Sequence, residues 1–208
     1  MKEYFMKYRC IIYIWCVFWA TVFFCMHKSA NANSDNTFVE TPSTEISEPY
    51  LVNSKEESDF ILGLMTEYNK KLSEEEREEY LLNIFYWARE YSLSPRMIAS
   101  LIARESAFRV NCKSDIGAYG PCQIYIKQHK NRIKKLGLTQ YDVKHNIGAN
   151  IHVCCDIIRE YLGWKSVAGN MEKALKIYSG LYNSKKYKTN WYYEDVMEIC
   201  KTGKHPKK

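Results

Sequence analysis

The stretch that decides the fold covers residues 95–124 and reads PRMIASLIARESAFRVNCKSDIGAYGPCQI. One face of its first half carries apolar side chains at helical spacing, namely Ile98, Leu101 and Ile102. Ser94 and the proline that follows it form the N-cap and first-turn pair typical of a helix start. The second half is polar and interrupted by glycine, which predicts a loop or a small irregular sheet over residues 111–124.

Glu105 lies where the apolar face of this helix would continue. It follows Ile98, Leu101 and Ile102 by seven, four and three residues, so it shares their face. Burial disfavours the charged form of a carboxyl group and raises its pKa. A carboxylic acid that is still partly protonated near neutral pH is what general acid catalysis requires. Glu105 is therefore a candidate catalytic acid and base, and the ordinary alternative is a solvated glutamate at a helix end.

The segment after this helix combines backbone freedom with hydrogen-bonding side chains. Gly117 and Gly120 bracket two residues, and glycine permits tight turns and a close approach of ligand to the main chain. Gln123 offers amide donors and a carbonyl acceptor, which suit the N-acetyl or hydroxyl groups of a sugar. The segment is therefore a candidate ligand-binding loop.

The chain from residue 56 onward is predicted to be mainly α-helical. Ser73 and Glu76 form a capping-box signature at the start of one helix, and a short helix is predicted before it over residues 60–68. The apolar spacing predicts four further helices, over residues 126–136, 146–161, 171–178 and 190–201. No convincing series of alternating strands is present, so the predicted fold class is mainly α with a minor β element.

These motifs together resemble a known family. Glu-Ser-x-Phe at residues 105–108, then Ser114, then Gly-Ala-x-Gly-x-x-Gln-Ile at residues 117–124 is similar to the lytic transglycosylase domain of the Slt type, which is related to goose-type lysozyme. With a third block over residues 174–180, the resemblance extends from about residue 73 to residue 196, most of the chain after the predicted signal. The resemblance implies a lysozyme-like fold and an enzyme that cleaves bacterial cell-wall glycan without a cofactor.

The resemblance also assigns roles to single positions. Glu105 matches the catalytic glutamate of the family, and Gln123 matches a glutamine that contacts the substrate sugar. Tyr178 matches the tyrosine of an Ala-Tyr-Asn block that lies near the glutamate, although a packed core tyrosine is the alternative. The predicted substrate-binding residues are Ser106, Gln123, Tyr178, Ser114 and Tyr119.

Three positions depart from the family pattern. Ser179 replaces the asparagine of the Ala-Tyr-Asn block, Cys122 stands where methionine is usual, and Cys112 stands where a small alanine is usual. Because Cys112 and Cys122 share the loop, a disulfide between them is a hypothesis. The departures at Ser179 and Cys122 also motivate the alternative of a non-catalytic wall-binding or assembly subunit.

The implied chemistry needs only one carboxyl group, whereas most glycosidases use two. Glu105 would protonate the β-1,4 bond between N-acetylmuramic acid and N-acetylglucosamine, and the C6 hydroxyl of the muramyl sugar would then attack C1. The product is a 1,6-anhydro end, formed without water as the nucleophile. The alternative within enzymes is a lysozyme-type hydrolase that uses water, with Asp115 assisting.

Residues 1–32 have the order of a secretory signal. A basic start precedes an apolar run over residues 10–26, and the small-x-small sequence Ala-Asn-Ala over residues 30–32 is typical of a cleavage site. The run is about 17 residues long, so retention as a membrane anchor is the alternative to cleavage. Both interpretations predict a periplasmic or cell-envelope location. Residues 33–55 are predicted to be a flexible linker, and residues 56–208 a lysozyme-like domain with a basic tail.

The formal net charge limits the classes of partner that the chain is expected to bind. Loss of residues 1–32 lowers the formal net charge from +6 to about +3, which suits an acidic polymer but is too weak to indicate nucleic acid. The resemblance implies peptidoglycan glycan strands as the partner, with which this charge is compatible, and a membrane is expected only if the N-terminal segment is retained. Small enzymes of this type resemble those that open the wall for secretion or conjugation machines, so such a machine is a further candidate.

Five cysteines follow the signal, namely Cys112, Cys122, Cys154, Cys155 and Cys200. An odd number in an oxidising compartment leaves at least one thiol free or externally paired. Cys154 and Cys155 with His152 do not have the spacing of tetrahedral ligands, so no metal site is predicted. Buried small apolar side chains are the favoured interpretation of these cysteines.

Overall fold

The computed structural model describes residues 49–180 and 191–206, with the backbone alone for residues 49–54. The predicted signal, and the linker as far as residue 48, lie outside the described residues. The described part contains eight helices and one two-stranded antiparallel sheet. The predicted fold class, mainly α and lysozyme-like with a minor β element, is confirmed.

The helices and strands follow one another in a simple order along the chain. The first three helices are α1 (Pro49–Tyr68), α2 (Glu74–Glu90) and α3 (Pro95–Ser106). The hairpin consists of β1 (Ala118–Tyr119) and β2 (Ile124–Tyr125), in which Ala118 pairs with Tyr125 and Tyr119 with Ile124. The remaining helices are α4 (Ile126–Lys135), α5 (Gln140–His145), α6 (Ile147–Gly163), α7 (Met171–Tyr178) and α8 (Trp191–Thr202).

Side-chain caps fix where several helices begin. At the start of α2 the Ser73 hydroxyl accepts from the Glu76 amide at 3.2 Å, and the Glu76 carboxylate accepts from the Ser73 amide at 3.0 Å. At the start of α3 the Ser94 hydroxyl accepts from the Met97 amide at 3.3 Å. These bonds satisfy amides that have no partner within the helix, so both predicted helix starts are confirmed.

Two helices differ from the sequence-based expectation. Helix α1 begins at Pro49, so it includes residues 49–55, which the composition assigns to the linker. Proline is favoured in a first turn, but the polar stretch over residues 53–59 separates Tyr50, Leu51 and Val52 from the apolar spacing that begins at Phe60. Helix α5 is not predicted at all, although Thr139 and Asp142 form a capping box at its start.

Helix α3 lies inside the helical core. It packs against α1, α2 and α8, and all of its side chains over residues 97–103 are buried. Helix α6 packs against α2, α5, α7 and strand β2. Because both helices are enclosed on several sides, their side chains near the hairpin are held in fixed positions.

Within residues 49–180 and 191–206, no helix combines the length and the apolar character needed to cross a membrane.

Candidate functional site

The Glu105 carboxyl group lies at the C-terminal end of α3, where α8 packs against that helix. The Tyr192 hydroxyl donates a hydrogen bond to Glu105 Oε1. Glu105 itself is half-buried, whereas the Tyr192 side chain is buried. The predicted continuation of the apolar face is confirmed, because Ile98, Leu101 and Ile102 are buried on the same face.

The surroundings of Glu105 favour its protonated form. Burial raises the pKa of Glu105, while the hydrogen bond from Tyr192 and the charge of Arg104 oppose that rise without cancelling it. The Arg104 guanidinium also forms an ion pair with Asp195, to which its Nε donates at 3.0 Å. Part of the positive charge of Arg104 is therefore already neutralised. Burial and the neighbouring Glu105 carboxylate together raise the pKa of Tyr192, so its hydroxyl stays a donor.

The chain reverses sharply just after Glu105. Ala107 and Phe108 both have left-handed backbone conformations, with φ of 51° and 56°. Such angles are unfavourable for residues other than glycine and persist only where packing compensates for them. Phe108 is fully buried with its ring 5.3 Å from that of Tyr80, whose hydroxyl donates to the Phe108 carbonyl at 3.0 Å. These contacts hold the reversal that carries the chain from α3 towards the hairpin.

The glycine-containing loop is fastened to α6 by Asn150, which is fully buried. Its Oδ1 accepts from the Cys122 amide at 2.8 Å, and its Nδ2 donates to the carbonyls of Tyr119 at 3.0 Å and Val143 at 2.7 Å. Gly120 has a φ of 75°, and a Cβ atom there would lie 2.3 Å from Asn150 Nδ2. Only glycine therefore fits at this position while Asn150 keeps its place.

Gln123 follows this anchored loop with a φ of 52°. Its Nε2 donates to the carbonyl of Gly120 at 2.9 Å and, more weakly, to that of Cys112 at 3.4 Å. These bonds orient the amide, because its donor side is turned onto the loop backbone. The carbonyl side of the amide is the part left to accept a hydrogen bond from a ligand.

Tyr178 lies in the same cluster as Glu105. Its hydroxyl donates to the Cys122 carbonyl at 2.7 Å and also contacts Cys154 Sγ at 3.3 Å. Burial raises the pKa of Tyr178, and the charges of the cysteines, Tyr192 and Glu105 add to that rise. The Tyr178 hydroxyl therefore binds the loop backbone and not the Glu105 carboxylate, and a contact of Tyr178 with substrate stays a prediction.

The described fold and this cluster of acid, tyrosines and glycine-containing loop agree with a comparison against protein families. The model of the transglycosylase SLT domain matches residues 82–194, which is more than half of the chain. The chain belongs to this family. The SLT domain acts on peptidoglycan glycan strands, so the protein carries a peptidoglycan-lytic domain of the transglycosylase type. No curated protein matches the sequence.

Three other predicted positions of the SLT domain have structural contacts. The Ser106 hydroxyl is buried and donates to the Ile102 carbonyl at 3.2 Å. The Ser114 hydroxyl accepts from the Ala118 amide at 3.0 Å, which closes the turn before β1. The Tyr119 ring faces two ammonium groups, from Lys113 at 5.6 Å and Lys144 at 4.8 Å. Substrate contacts by these three residues remain predictions.

The hypothesised disulfide between Cys112 and Cys122 is not formed in the structure, in which all five cysteines after the predicted signal are free thiols. The Cys122 side chain is fully buried beside Cys154 of α6, and burial raises the pKa of its thiol. Cys112 is half-exposed, and its carbonyl accepts from the Gly120 amide at 2.8 Å. The two thiols therefore face different surroundings although they share a loop.

In the described part of the chain, no group of three or more His, Cys, Asp and Glu side chains is placed to hold a metal ion.

Asp115 does not take part in the Glu105 cluster of the SLT domain. It is exposed at the turn between Ser114 and Gly117, and it is not among the groups that shift the pKa of Glu105. A second carboxyl group is therefore not supplied by this loop residue.

Sequence reasoning misses two residues of the site. No local signal in the sequence connects Tyr192 with Glu105, which lies 87 positions earlier. Asn150 does give a signal, because it is a polar residue among the apolar residues of α6, as Glu105 is on α3. A buried polar side chain within an apolar face indicates a specific hydrogen-bonding task.

Proposed function

We propose that this protein is an exported lytic transglycosylase that leaves 1,6-anhydromuramic ends, with Glu105 as its single catalytic acid and base. The observation that carries the proposal is a half-buried carboxyl group with a raised pKa, beside the loop that the SLT family match includes. Asp115 is exposed and outside this cluster, which favours chemistry with one carboxyl group over a two-carboxylate hydrolase.

In the first step, protonated Glu105 donates its proton to the oxygen that bridges N-acetylmuramic acid and N-acetylglucosamine. Because Oε1 accepts a hydrogen bond from Tyr192, we place the transferable proton on Oε2. The bond between C1 and the bridging oxygen then breaks, and the muramyl 2-acetamido group supports the positive charge at C1.

In the second step, ionised Glu105 takes the proton of the C6 hydroxyl as that oxygen bonds to C1. The attack is intramolecular, and the high effective concentration of a hydroxyl held in place allows it to outcompete water. The hydrogen bond from Tyr192 stabilises the ionised form between the two steps. The Gln123 carbonyl is oriented by its bonds to the loop and would accept from a sugar hydroxyl or N-acetyl group.

The product distinguishes this mechanism from hydrolysis. We expect mass spectrometry of muropeptides released from purified peptidoglycan to show 1,6-anhydro ends as the main enzymatic product. Hydrolysis would add one water, about 18 Da, and leave ends that borohydride reduces. A majority of reducible ends created by the enzyme would replace this proposal with the lysozyme-type hydrolase. An Asp115→Asn variant is the matched control, and we expect it to give the same products as the wild type.

The pH profile should depend on Tyr192. Activity requires protonated Glu105, so kcat/KM falls as pH rises through the pKa of Glu105 in the free enzyme. Burial raises that pKa and the Tyr192 hydrogen bond lowers it, so Tyr192→Phe should move the alkaline limb to higher pH. Tyr86→Phe, on the exposed face of α2, is the control and should leave the limb in place. An alkaline limb that stays in place or moves to lower pH in Tyr192→Phe would contradict the assigned role.

Export is the second part of the proposal. It is supported by the basic start, the apolar run and the small-x-small site within residues 1–32. The exported chain would act in the periplasm or cell envelope, tethered to the membrane if the apolar segment is retained. A secretion or conjugation machine that must pass through the wall is the candidate partner, since such a machine needs local opening of peptidoglycan.

A further inference from the structure

The backbone of Cys122 is held by two hydrogen bonds within the loop beside Glu105. Its amide donates to Asn150 Oδ1 at 2.8 Å, and its carbonyl accepts from the Tyr178 hydroxyl at 2.7 Å. Its buried thiol lies beside Cys154, which helps to raise the pKa of the Cys122 thiol, and the Cys154 sulfur lies 3.3 Å from the same Tyr178 hydroxyl. Both cysteines therefore contact the Tyr178 hydroxyl, Cys122 through its carbonyl oxygen and Cys154 through its sulfur.

The position of Cys154 on α6 explains this meeting. Asn150 and Cys154 are one helical turn apart, so their side chains share a face of the helix. Asn150 binds the backbone of the loop at Cys122, and Cys154 reaches the side chain of the same residue. Both thiols are fully buried. The two residues therefore lie in one buried cluster at the Tyr178 hydroxyl, and both are free thiols in this structure.

We propose that Cys122 and Cys154 form an intramolecular disulfide that ties the glycine-containing loop to helix α6. The oxidising compartment that it needs rests on the proposed export. Both thiols lose their hydrogens, a sulfur–sulfur bond forms, and two electrons and two protons pass to a donor disulfide, which becomes two thiols. A protein thiol oxidant supplies the donor disulfide in the cell, and oxidised glutathione supplies it in vitro.

The other cysteines are poorer partners for Cys122. Cys155 projects about 100° away from Cys154 around the helix. Cys112 is half-exposed at the base of the loop, and Cys200 is half-exposed on α8. The disulfide accordingly leaves three thiols unpaired, which agrees with the odd number of cysteines after the predicted signal.

The timing of the reaction follows from burial. Burial raises the pKa of the Cys122 thiol, and the thiolate is the form that exchanges with a disulfide. Oxidation should therefore occur while the loop is still open during folding. Once closed, the bond is protected from thiol reductants by the same burial, as structural disulfides of exported proteins are.

Peptide mapping without reductant tests the pair directly. The full chain is produced with export to an oxidising compartment, exposed to oxidised glutathione, and alkylated in denaturant before digestion. We expect a peptide with Cys122 linked to one with Cys154, while Cys112, Cys155 and Cys200 carry the alkyl group. Reduction should separate the linked peptides and raise the intact mass by about 2 Da, the mass of two hydrogens.

Two variants make the result specific. Because Cys154 and Cys155 share a peptide, Cys155→Ser must keep the link to Cys122, and Cys154→Ser must lose it. Reduction should lower the Tm of the wild type by about 5 °C or more and leave that of Cys154→Ser unchanged. If Cys154→Ser fails to fold, the peptide maps of the wild type and of Cys155→Ser still test whether Cys122 is linked to Cys154. Alkylation of both Cys122 and Cys154, or a link from Cys122 to any other cysteine, overturns the proposal. None of these outcomes depends on glycan cleavage.

Discussion

Glu105→Gln is expected to abolish glycan cleavage while the protein stays folded. The amide is close in shape to the carboxyl group and still accepts from Tyr192 through its oxygen, but it can neither give nor take the proton. Removal of a general acid or base typically costs 10²- to 10⁴-fold, and Glu105 has both tasks. We therefore expect kcat/KM to fall by at least about 10³-fold, measured as the release of muropeptides from purified peptidoglycan.

The stability of this variant separates chemistry from unfolding. Since the pKa of Glu105 is raised in the folded state, folding favours the protonated form. The contribution of Glu105 to the stability of the wild type is therefore largest below the ordinary carboxyl range and falls as pH rises through the raised pKa. The amide that replaces the carboxyl group does not titrate, so the Tm of Glu105→Gln relative to the wild type should rise from acidic to neutral pH. A variant with a much lower Tm at neutral pH would show that the lost activity reflects folding.

A matched control uses another glutamate at a helix end. Glu90 is exposed in the last turn of α2 and far from the loop in sequence. Glu90→Gln should cleave peptidoglycan as the wild type does and show no change in its pH profile. Retained turnover in Glu105→Gln beside an unchanged control would remove Glu105 from the mechanism.

The sequence predicts the local parts of this site well because they follow from short-range rules. The helix spacing places Glu105 on the apolar face of α3, and burial then raises its pKa, as expected. Glycine at position 120 predicts that another group lies close to the main chain there, and the structure identifies that group as the Asn150 side chain. The capping residues at Ser73 and Ser94 likewise fix two helix starts.

The partners of these groups depend on packing between distant segments and could not be predicted. Tyr192 reaches Glu105 only because α8 packs along α3. Cys122 meets Cys154 only because α6 passes the loop, whereas sequence proximity favours Cys112. Periodicity shows which face of a helix is buried but does not show which helix covers it. The start of α1 at Pro49 escapes prediction for a different reason, since the polar stretch over residues 53–59 has no apolar spacing that joins residues 49–52 to the helix predicted from residue 60.

Asn150→Ala is expected to be among the most destabilising single changes in the domain. It leaves the Cys122 amide and the carbonyls of Tyr119 and Val143 without the partner that they share. A buried polar group without a hydrogen bond costs about 1–3 kcal/mol, so the free energy of unfolding should fall by about 3–5 kcal/mol. Urea unfolding measures this loss. The loop that holds Gln123 should also loosen, so KM for peptidoglycan should rise.

Two glycines of the same loop separate backbone conformation from contact with Asn150. Gly117 and Gly120 both have left-handed conformations, with φ of 85° and 75°, but only Gly120 would place a Cβ atom against Asn150. Gly117→Ala should therefore cost only the conformational penalty, about 1–2 kcal/mol. Gly120→Ala adds an overpacked contact and should cost about 2–5 kcal/mol.

The double variant Gly120→Ala/Asn150→Ala then tests whether Asn150 is what requires glycine at position 120. The shorter side chain removes the atom that would lie 2.3 Å from the new Cβ, so the double variant should lose less stability than the two single variants together. We expect the difference to be at least about 1 kcal/mol, whereas Gly117→Ala combined with Asn150→Ala should be additive within about 0.5 kcal/mol. Additivity in both pairs would mean that the loop relaxes away from α6 when a Cβ is added. In that case the hydrogen bonds of Asn150 hold the loop, and steric fit at Gly120 does not.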